Sequence, residues 1–394
     1  MRTEILRPHT IHSNQRNDRI VLTRADDTPQ VKAFLLCFIV LLYYIFIYYV
    51  CQELFLENYI LLYIKMYRSL FVKYFYDYQD YIKFTYKTNL RKDLNKSGGF
   101  LITLYITLTV VSTLIITLLS GKQINVSNIN MVLNSLISIS SFFVAGLIYC
   151  LFRNIRLSSI LPFSKIKPSL LIPICFLGLS LALAANYAST AVLSLFEMFG
   201  SDAYIDMSYE PKSGFDIFIY YLSYAVVPAF VEEFAFRGIV LGCIRKHSDS
   251  FAVIVSAIMF GLMHGNFMQI PFAFVVGLVL GFVTVKTNSL LPAIIIHFCN
   301  NAISVTFDII SSNSGLSIQL INIIYITIML FIAICGIIGA IILIKRNDNF
   351  FKFENSDGLL NFKEKIIMFC KNETMIIFTV LSIIEAIGSL EIGT

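Results

Sequence analysis

The chain has 394 residues, of which 57% are hydrophobic and 14% charged, with a formal net charge of +5 and a mean hydropathy of +0.76. A soluble domain of that composition would have too little polar surface to show water, so an ordinary water-soluble fold is excluded. The apolar residues gather into runs near the roughly 20 residues that an α-helix needs to cross about 30 Å of hydrocarbon.

In chain order, residues 1–32 come first, a polar segment with five Arg and one Lys. It has no apolar core of the kind a cleaved secretory signal needs, so the run at 33–51 reads as the first anchor. A stretch at 65–99 mixes Lys and Arg with aromatics, as in "KMYRSLFVKYFYDYQDYIKF". Next to membrane spans it reads as an interfacial helix on anionic headgroups rather than as a nucleic-acid-binding element. Further apolar runs follow at 100–120, 132–152, 169–196, 215–243, 251–263, 271–285, 290–310, 321–344 and 375–390. No ten-residue alternating pattern suggests a barrel. The expected fold is therefore all-α, a polytopic integral membrane helical bundle with about nine or ten transmembrane helices by the length rule.

Basic residues mark one set of loops, namely Arg153, Arg156, Lys165 and Lys167, then Arg245 and Lys246, then Lys286, then Lys345, Arg346 and Lys352. The positive-inside rule places these loops in the cytoplasm. Counting backward through the spans puts the basic residues 1–32 outside, against the same rule, so either 54–64 is a further membrane element or the count is off by one. The eight cysteines are scattered mostly through apolar runs without a CxxC pair and read as small packing residues.

Ionisable groups at membrane depth are costly, so each needs a partner or a task. "VPAFVEEFAFRGIV", residues 227–240, carries Glu232, Glu233 and Arg237. Glu233 and Arg237 are four apart on one helix face with the acid on the favoured N-terminal side, and they can neutralise each other. Glu232 is rotated about 100° away, and its own i+4 neighbour is Phe236, which offers no charge. Of the five histidines only His264 and His297 lie in apolar runs. The polar turn 246–250 centres near residue 248, sixteen positions from both Glu232 and His264. Antiparallel helices with equal arms bring those two to one depth, roughly 20 Å from the turn. The next turn, near Asn288, puts His297 and Asn301 about 13 and 19 Å up the following helix, on one face. A glutamate, two histidines and an asparagine thus converge from three helices. Glu197, Asp216, Asp308 and Glu385 lie near run ends and read as interfacial or capping acids.

These residues resemble the CPBP family, the CAAX prenyl endopeptidase and bacteriocin-processing intramembrane proteases. The family pattern is EExxxR, FxxxH and HxxxN, and the chain has "EEFAFR" at 232–237, "FGLMH" at 260–264 and "HFCNN" at 297–301. The Gly-rich helix and polar turn before the second histidine are similar as well. The resemblance covers 220–310 and implies a glutamate-type protease. Glu232 and His264 would hold and deprotonate a water, His297 and Asn301 would form the oxyanion hole, and Glu233 and Arg237 would be structural support.

The implied organisation is a polar segment at 1–32, an N-terminal membrane region at 33–210, a catalytic membrane core at 211–310 and C-terminal membrane helices at 311–394. The implied substrate is a membrane-associated or lipidated protein or a hydrophobic peptide within the bilayer, and nucleic acid is not an expected partner. Richness in Ile, Asn, Lys and Phe suggests an AT-rich bacterial genome, hence a bacterial plasma membrane and a role in peptide maturation or bacteriocin immunity. No cofactor is expected, because Asn301 suits an oxyanion better than a metal and Glu233, engaged by Arg237, leaves no acid to orient the histidines. Two rival readings stand: a zinc protease using Glu232, His264 and His297, and a non-catalytic transporter or immunity protein with a polar relay.

Overall fold

The computed structural model describes residues 57–119, 127–153, 156–186, 190–191, 194, 211, 213–353 and 359–389. The expected anchor at 33–51 and the polar segment 1–32 lie outside the described residues. The chain divides into two compact units, one up to Asp80 and one from Tyr81 onward. Helix α1, Glu57–Leu119, enters the first unit with its first residues and continues through the second. The stretch 65–99 is therefore part of one unbroken helix that runs on into an apolar span. In the first unit the helix presents Met66, Leu70 and Tyr76 as exposed side chains.

In the second unit, α1 is followed by α2, Ser127–Phe152, and α3, Pro168–Ala184. The span Gly214–His247, here α4, is continuous but irregular. Helix α5, Asp249–Met263, and α6, Gln269–Thr287, form an antiparallel hairpin. Then come α7, Leu291–Asn313, and α8, Ile318–Arg346. Helices α9, Phe362–Cys370, and α10, Glu373–Gly388, are bent by 64° at a short break. Six helices are long and apolar enough to cross a membrane, or seven with the bent pair taken as one span, among the described residues. The difference from nine or ten lies in three of the expected runs. The run 33–51 is outside the described residues, the run 169–196 is described only in part, with 17 residues in α3, and α5 at 15 residues is shorter than a full crossing. The chain is an all-α polytopic membrane bundle, and the exposed faces of its spans carry the residues that lipid requires, such as Ile326, Leu330, Phe331, Ile334 and Ile337 on α8.

Helix ends are set by local chemistry. Ser213 and Asp216 make a capping box at the start of α4, and Asn361 and Glu364 make another at α9. Ser248 caps α5, with Asp249 in its first turn opposite the positive end of the helix dipole. Helix α6 ends at Asn288 in the left-handed conformation, φ 49°, a role that asparagine tolerates. Packing is close where side chains are small. A Cβ on Gly339 of α8 would lie 2.6 Å from the Pro173 carbonyl oxygen of α3. On α6, a Cβ on Gly277 would meet the Cα of Ala257 on α5 at 3.0 Å.

The basic loops meet at one end of the second unit. Arg245 donates to the Asn288 side chain at 2.6 Å and to the Val285 carbonyl at 3.0 Å, Asn288 donates to Ser164 at 2.9 Å, and Arg346 donates to the Ser169 carbonyl at 2.7 Å. This is the end that the positive-inside rule expects on the cytoplasmic side.

A buried polar lock there ties α1 and α9 to the turn after α4. Asp93, 3% exposed, meets His247 Nε2 at 2.8 Å and Lys246 Nζ at 2.9 Å. Two donors converge on the His247 carbonyl, the buried Lys365 ammonium at 2.7 Å and the Tyr86 hydroxyl at 2.8 Å. Leu90 and Leu94 of α1 are fully buried beside it. By contrast, Arg91 and Glu373 pair at 2.5 Å with both side chains more than half exposed. A buried charge left without its partner costs about 3 to 5 kcal/mol, whereas an exposed pair contributes about 0 to 1. Asp93→Ala is therefore expected to lower the thermal midpoint of the detergent-solubilised protein well beyond the effect of Arg91→Ala. Equal losses in the two variants would remove the lock from the account.

Candidate functional site in the membrane core

The site is built on α4, and its irregularity starts at Pro228. Proline has no N–H, so the carbonyl four residues earlier, on Tyr224, is left without its helical donor. The helix widens to π geometry over Leu222–Val226, and the Asn301 side-chain amide on α7 donates to the Tyr224 oxygen at 3.1 Å. A second π stretch, Phe234–Val240, follows the two glutamates directly. The Phe236 carbonyl in this stretch also accepts from Ser256 of α5 at 3.0 Å. Such π segments are frequent where a helix must aim functional side chains.

Glu233 and Arg237 form the ion pair that their spacing predicts, Nη1 to Oε1 at 2.8 Å, with both side chains fully buried. The guanidinium is held further by the Gly277 carbonyl at 3.3 Å and lies over the Phe260 ring, 4.2 Å from its centroid. Glu233 does more than the sequence suggests, because the same Oε1 also faces His297 Nδ1 at 2.8 Å. The expectation that pairing with Arg237 leaves no acid to orient a histidine is thus corrected. One carboxylate oxygen accepts from two donors on two helices, and α7 brings the second of them.

A carboxylate only accepts, so His297 Nδ1 carries the hydrogen. That turns His297 Nε2 toward Glu232, whose Oε2 lies 3.8 Å away. Glu232 Oε2 is buried and has no hydrogen-bond partner among the described residues. Glu232 and His264 line a single cavity of about 170 Å³. Phe236, Phe260 and Met263 continue its wall on α4 and α5. The Phe260 ring stands edge-on to both histidines, with centroids 5.1 Å from His264 and 6.0 Å from His297. Phe260 opens the FxxxH motif and at once covers Arg237 and meets His264 and His297 edge-on.

Neither His297 nor Asn301 is among the residues that line the cavity; Asn301 is tied to α4 at Tyr224 and to its neighbour Asn300. Asn300, 3% exposed, donates to the Asn301 side-chain oxygen at 3.2 Å, and its own Oδ1 is buried without a partner among the described residues. With its oxygen facing Asn300 and its nitrogen facing Tyr224, Asn301 has one amide orientation and keeps a second N–H in hand.

Four residues escape the sequence reading. Asn300 is masked by its neighbour Asn301, which fits the motif. Leu108 of α1, with Ser138 and Phe142 of α2, lines the cavity of Glu232 and His264 from 90 or more positions away in sequence. No local pattern marks them. Among the outlying acids, Asp216 does cap a helix, and Asp308 accepts from the Tyr220 hydroxyl. Glu385 instead packs its carboxylate against Gly265, where a Cβ would meet Oε2 at 2.8 Å. Glu197 lies outside the described residues. Among those residues, no three His, Cys, Asp or Glu side chains group as a metal site.

Residues 214–303 match the family described as type II CAAX prenyl endopeptidase Rce1-like. A curated relative, the membrane-embedded CAAX protease MroQ of Staphylococcus aureus (strain USA300), is 30% identical over 102 residues, which covers 24% of this chain and 40% of the relative. The chain therefore aligns with less than half of that relative's length. No solved structure matches it. The matched segment holds α4 to most of α7 and all three motifs. The similarity to the type II CAAX prenyl endopeptidase family is therefore one of the segment 214–303, which contains Glu232, His264, His297 and Asn301.

Proposed function

We propose that the protein is an intramembrane endopeptidase that hydrolyses a peptide bond in a membrane-associated or lipidated protein or a hydrophobic peptide. The observation that carries this reading is the shared cavity of Glu232 and His264, with one Glu232 oxygen buried and unpartnered. A carboxylate poorly served by hydrogen bonds is a stronger base than one in water. Glu232 takes a proton from a water held between it and His264, and the resulting hydroxide attacks the scissile carbonyl. His297 Nε2 and the second Asn301 N–H donate to the oxygen that becomes negative. The proton on Glu232 then passes to the leaving amine.

Both ring nitrogens of His297 face carboxylates, Nδ1 toward Glu233 at 2.8 Å and Nε2 toward Glu232 at 3.8 Å, which holds the ring between the two glutamates. In this mechanism water activation needs no metal. A zinc site would require Glu232, His264 and His297 within about 2.0 to 2.2 Å of one ion; the Glu233 carboxylate on His297 Nδ1 would orient the ring in either mechanism, so metal removal is the test that separates them. The reading also places the protein in a bacterial plasma membrane, its substrate approaching through the bilayer.

Three outcomes test it. Glu232→Gln keeps the shape and loses the base, so cleavage of a membrane substrate should fall to background while membrane abundance is kept. Retained turnover would remove Glu232 from the role, and a protein that is only a transporter would cleave nothing in either form.

Glu233→Gln and Arg237→Met should each destabilise the protein by about 3 to 5 kcal/mol in a detergent unfolding assay, since each strands a buried charge. The double variant should lose much less than the sum, and strict additivity would show the pair to be uncoupled.

Activity should survive prolonged dialysis against a strong chelator. Loss on chelation, with restoration by zinc and not by magnesium, would replace the glutamate mechanism with the metalloprotease.

A further inference from the structure

The cavity that holds Glu232 and His264 is closed by residues outside the segment that matches the protease family. Leu108 comes from α1, and Ser138 and Phe142 come from α2. Glu232 and His264 are the pair that would activate water, so a scissile carbonyl presented to them has its neighbouring side chain beside the rest of the lining. That remainder is Leu108, Phe142, Phe236, Phe260 and Met263, apolar apart from the Ser138 hydroxyl.

Volume decides what fits. The cavity measures about 170 Å³. An apolar protein cavity of about 150 Å³ takes up a benzene-sized guest. One side chain of the size of leucine, methionine or phenylalanine therefore fills the recess, and a whole isoprenoid chain does not. A lipid anchor on a substrate would have to lie outside it, in the bilayer.

We propose that the recess is the specificity pocket for one medium-sized apolar side chain next to the scissile bond, and that Leu108 and Phe142 set its size. This rests on the endopeptidase reading above. It assigns a function to α1 and α2 and makes the choice of peptide bond a property of helices that carry none of the three motifs. Leu108 sits on the partly buried face of α1, and Phe142 is held from behind by the packing of α2 on α4. Changes of volume at these two positions are therefore felt in the recess.

The test uses the full chain in host-cell membranes and maps new peptide termini, comparing wild type with Glu232→Gln, Leu108→Ala, Phe142→Leu and Leu108→Phe. Cuts that vanish in Glu232→Gln should flank Leu, Ile, Met or Phe in the wild type. A methylene more or less in an apolar pocket changes selectivity by about 10-fold or more. Leu108→Ala and Phe142→Leu should therefore shift cutting by at least about 10-fold toward the largest side chains. Leu108→Phe should shift it as far toward Ala and Val. Misfolding cannot give opposite shifts at one position, and membrane abundance is read in parallel. Glu232-dependent cuts with the same residue preference in all pocket variants would overturn the pocket and leave the protease reading standing. The absence of any Glu232-dependent cut would overturn the protease reading, and the pocket with it.

Discussion

The bundle depends on one oxygen, Glu233 Oε1, which accepts from Arg237 at 2.8 Å and from His297 Nδ1 at 2.8 Å in a site closed to solvent. A charge at this depth is costly alone, and each of the three groups makes the others tolerable. The contact with Arg237 is local, within one helix. The contact with His297 crosses to α7 and fixes both the position of that helix and the direction of the second ring nitrogen. Through the Arg237 guanidinium the same oxygen also reaches the Gly277 carbonyl on α6 and the Phe260 ring on α5. Four helices are thus registered on one ion pair, and Glu232 is left as the carboxylate that no neighbour satisfies.

What could be read from the sequence was what local geometry fixes. Two residues four apart on a helix must meet, so the Glu233–Arg237 pair needed no tertiary knowledge. Equal arms about a polar turn put Glu232 and His264 at one level, and they do line one cavity. The link from Glu233 to His297 was not legible, because it depends on the lateral position of α7 rather than on depth. The orientation of Asn301 was likewise hidden, since it follows from a carbonyl released by Pro228, 73 positions earlier. Hydropathy also could not separate a crossing from a shorter hairpin arm. Helix α5 is as apolar as its neighbours, yet its 15 residues stop at the His264 turn instead of continuing across.

The N-terminal helices show the same limit in another form. Composition gave α1 and α2 no task beyond crossing the membrane. In the folded chain, α1 is tied at the end where the basic loops meet through Asp93 and His247, one of the few buried ionic contacts outside the catalytic region among the described residues. Fifteen residues further along the same helix, roughly 22 Å at 1.5 Å per residue, Leu108 lines the cavity of Glu232 and His264. A lock at the end of a rigid helix sets the position of a side chain higher up, which is how a polar cluster in a loop region constrains a pocket in the membrane interior.

This arrangement separates chemistry from selectivity. The groups that would activate water and stabilise an oxyanion lie on α4, α5 and α7, beside Glu233, Arg237 and His297, which hold one another by buried polar contacts that tolerate little change. The part of the lining that α1 and α2 supply is Leu108 and Phe142 with Ser138, and apolar packing accepts changes of shape at a modest cost when total volume is kept. Leu108 and Phe142 can therefore vary without stranding a charge, whereas Glu232, Glu233, Arg237 and His297 cannot. A membrane protease built this way can change the peptide bond it selects through α1 and α2 while the buried ionic constellation stays intact, because no hydrogen bond or ion pair of that constellation passes through either helix among the described residues.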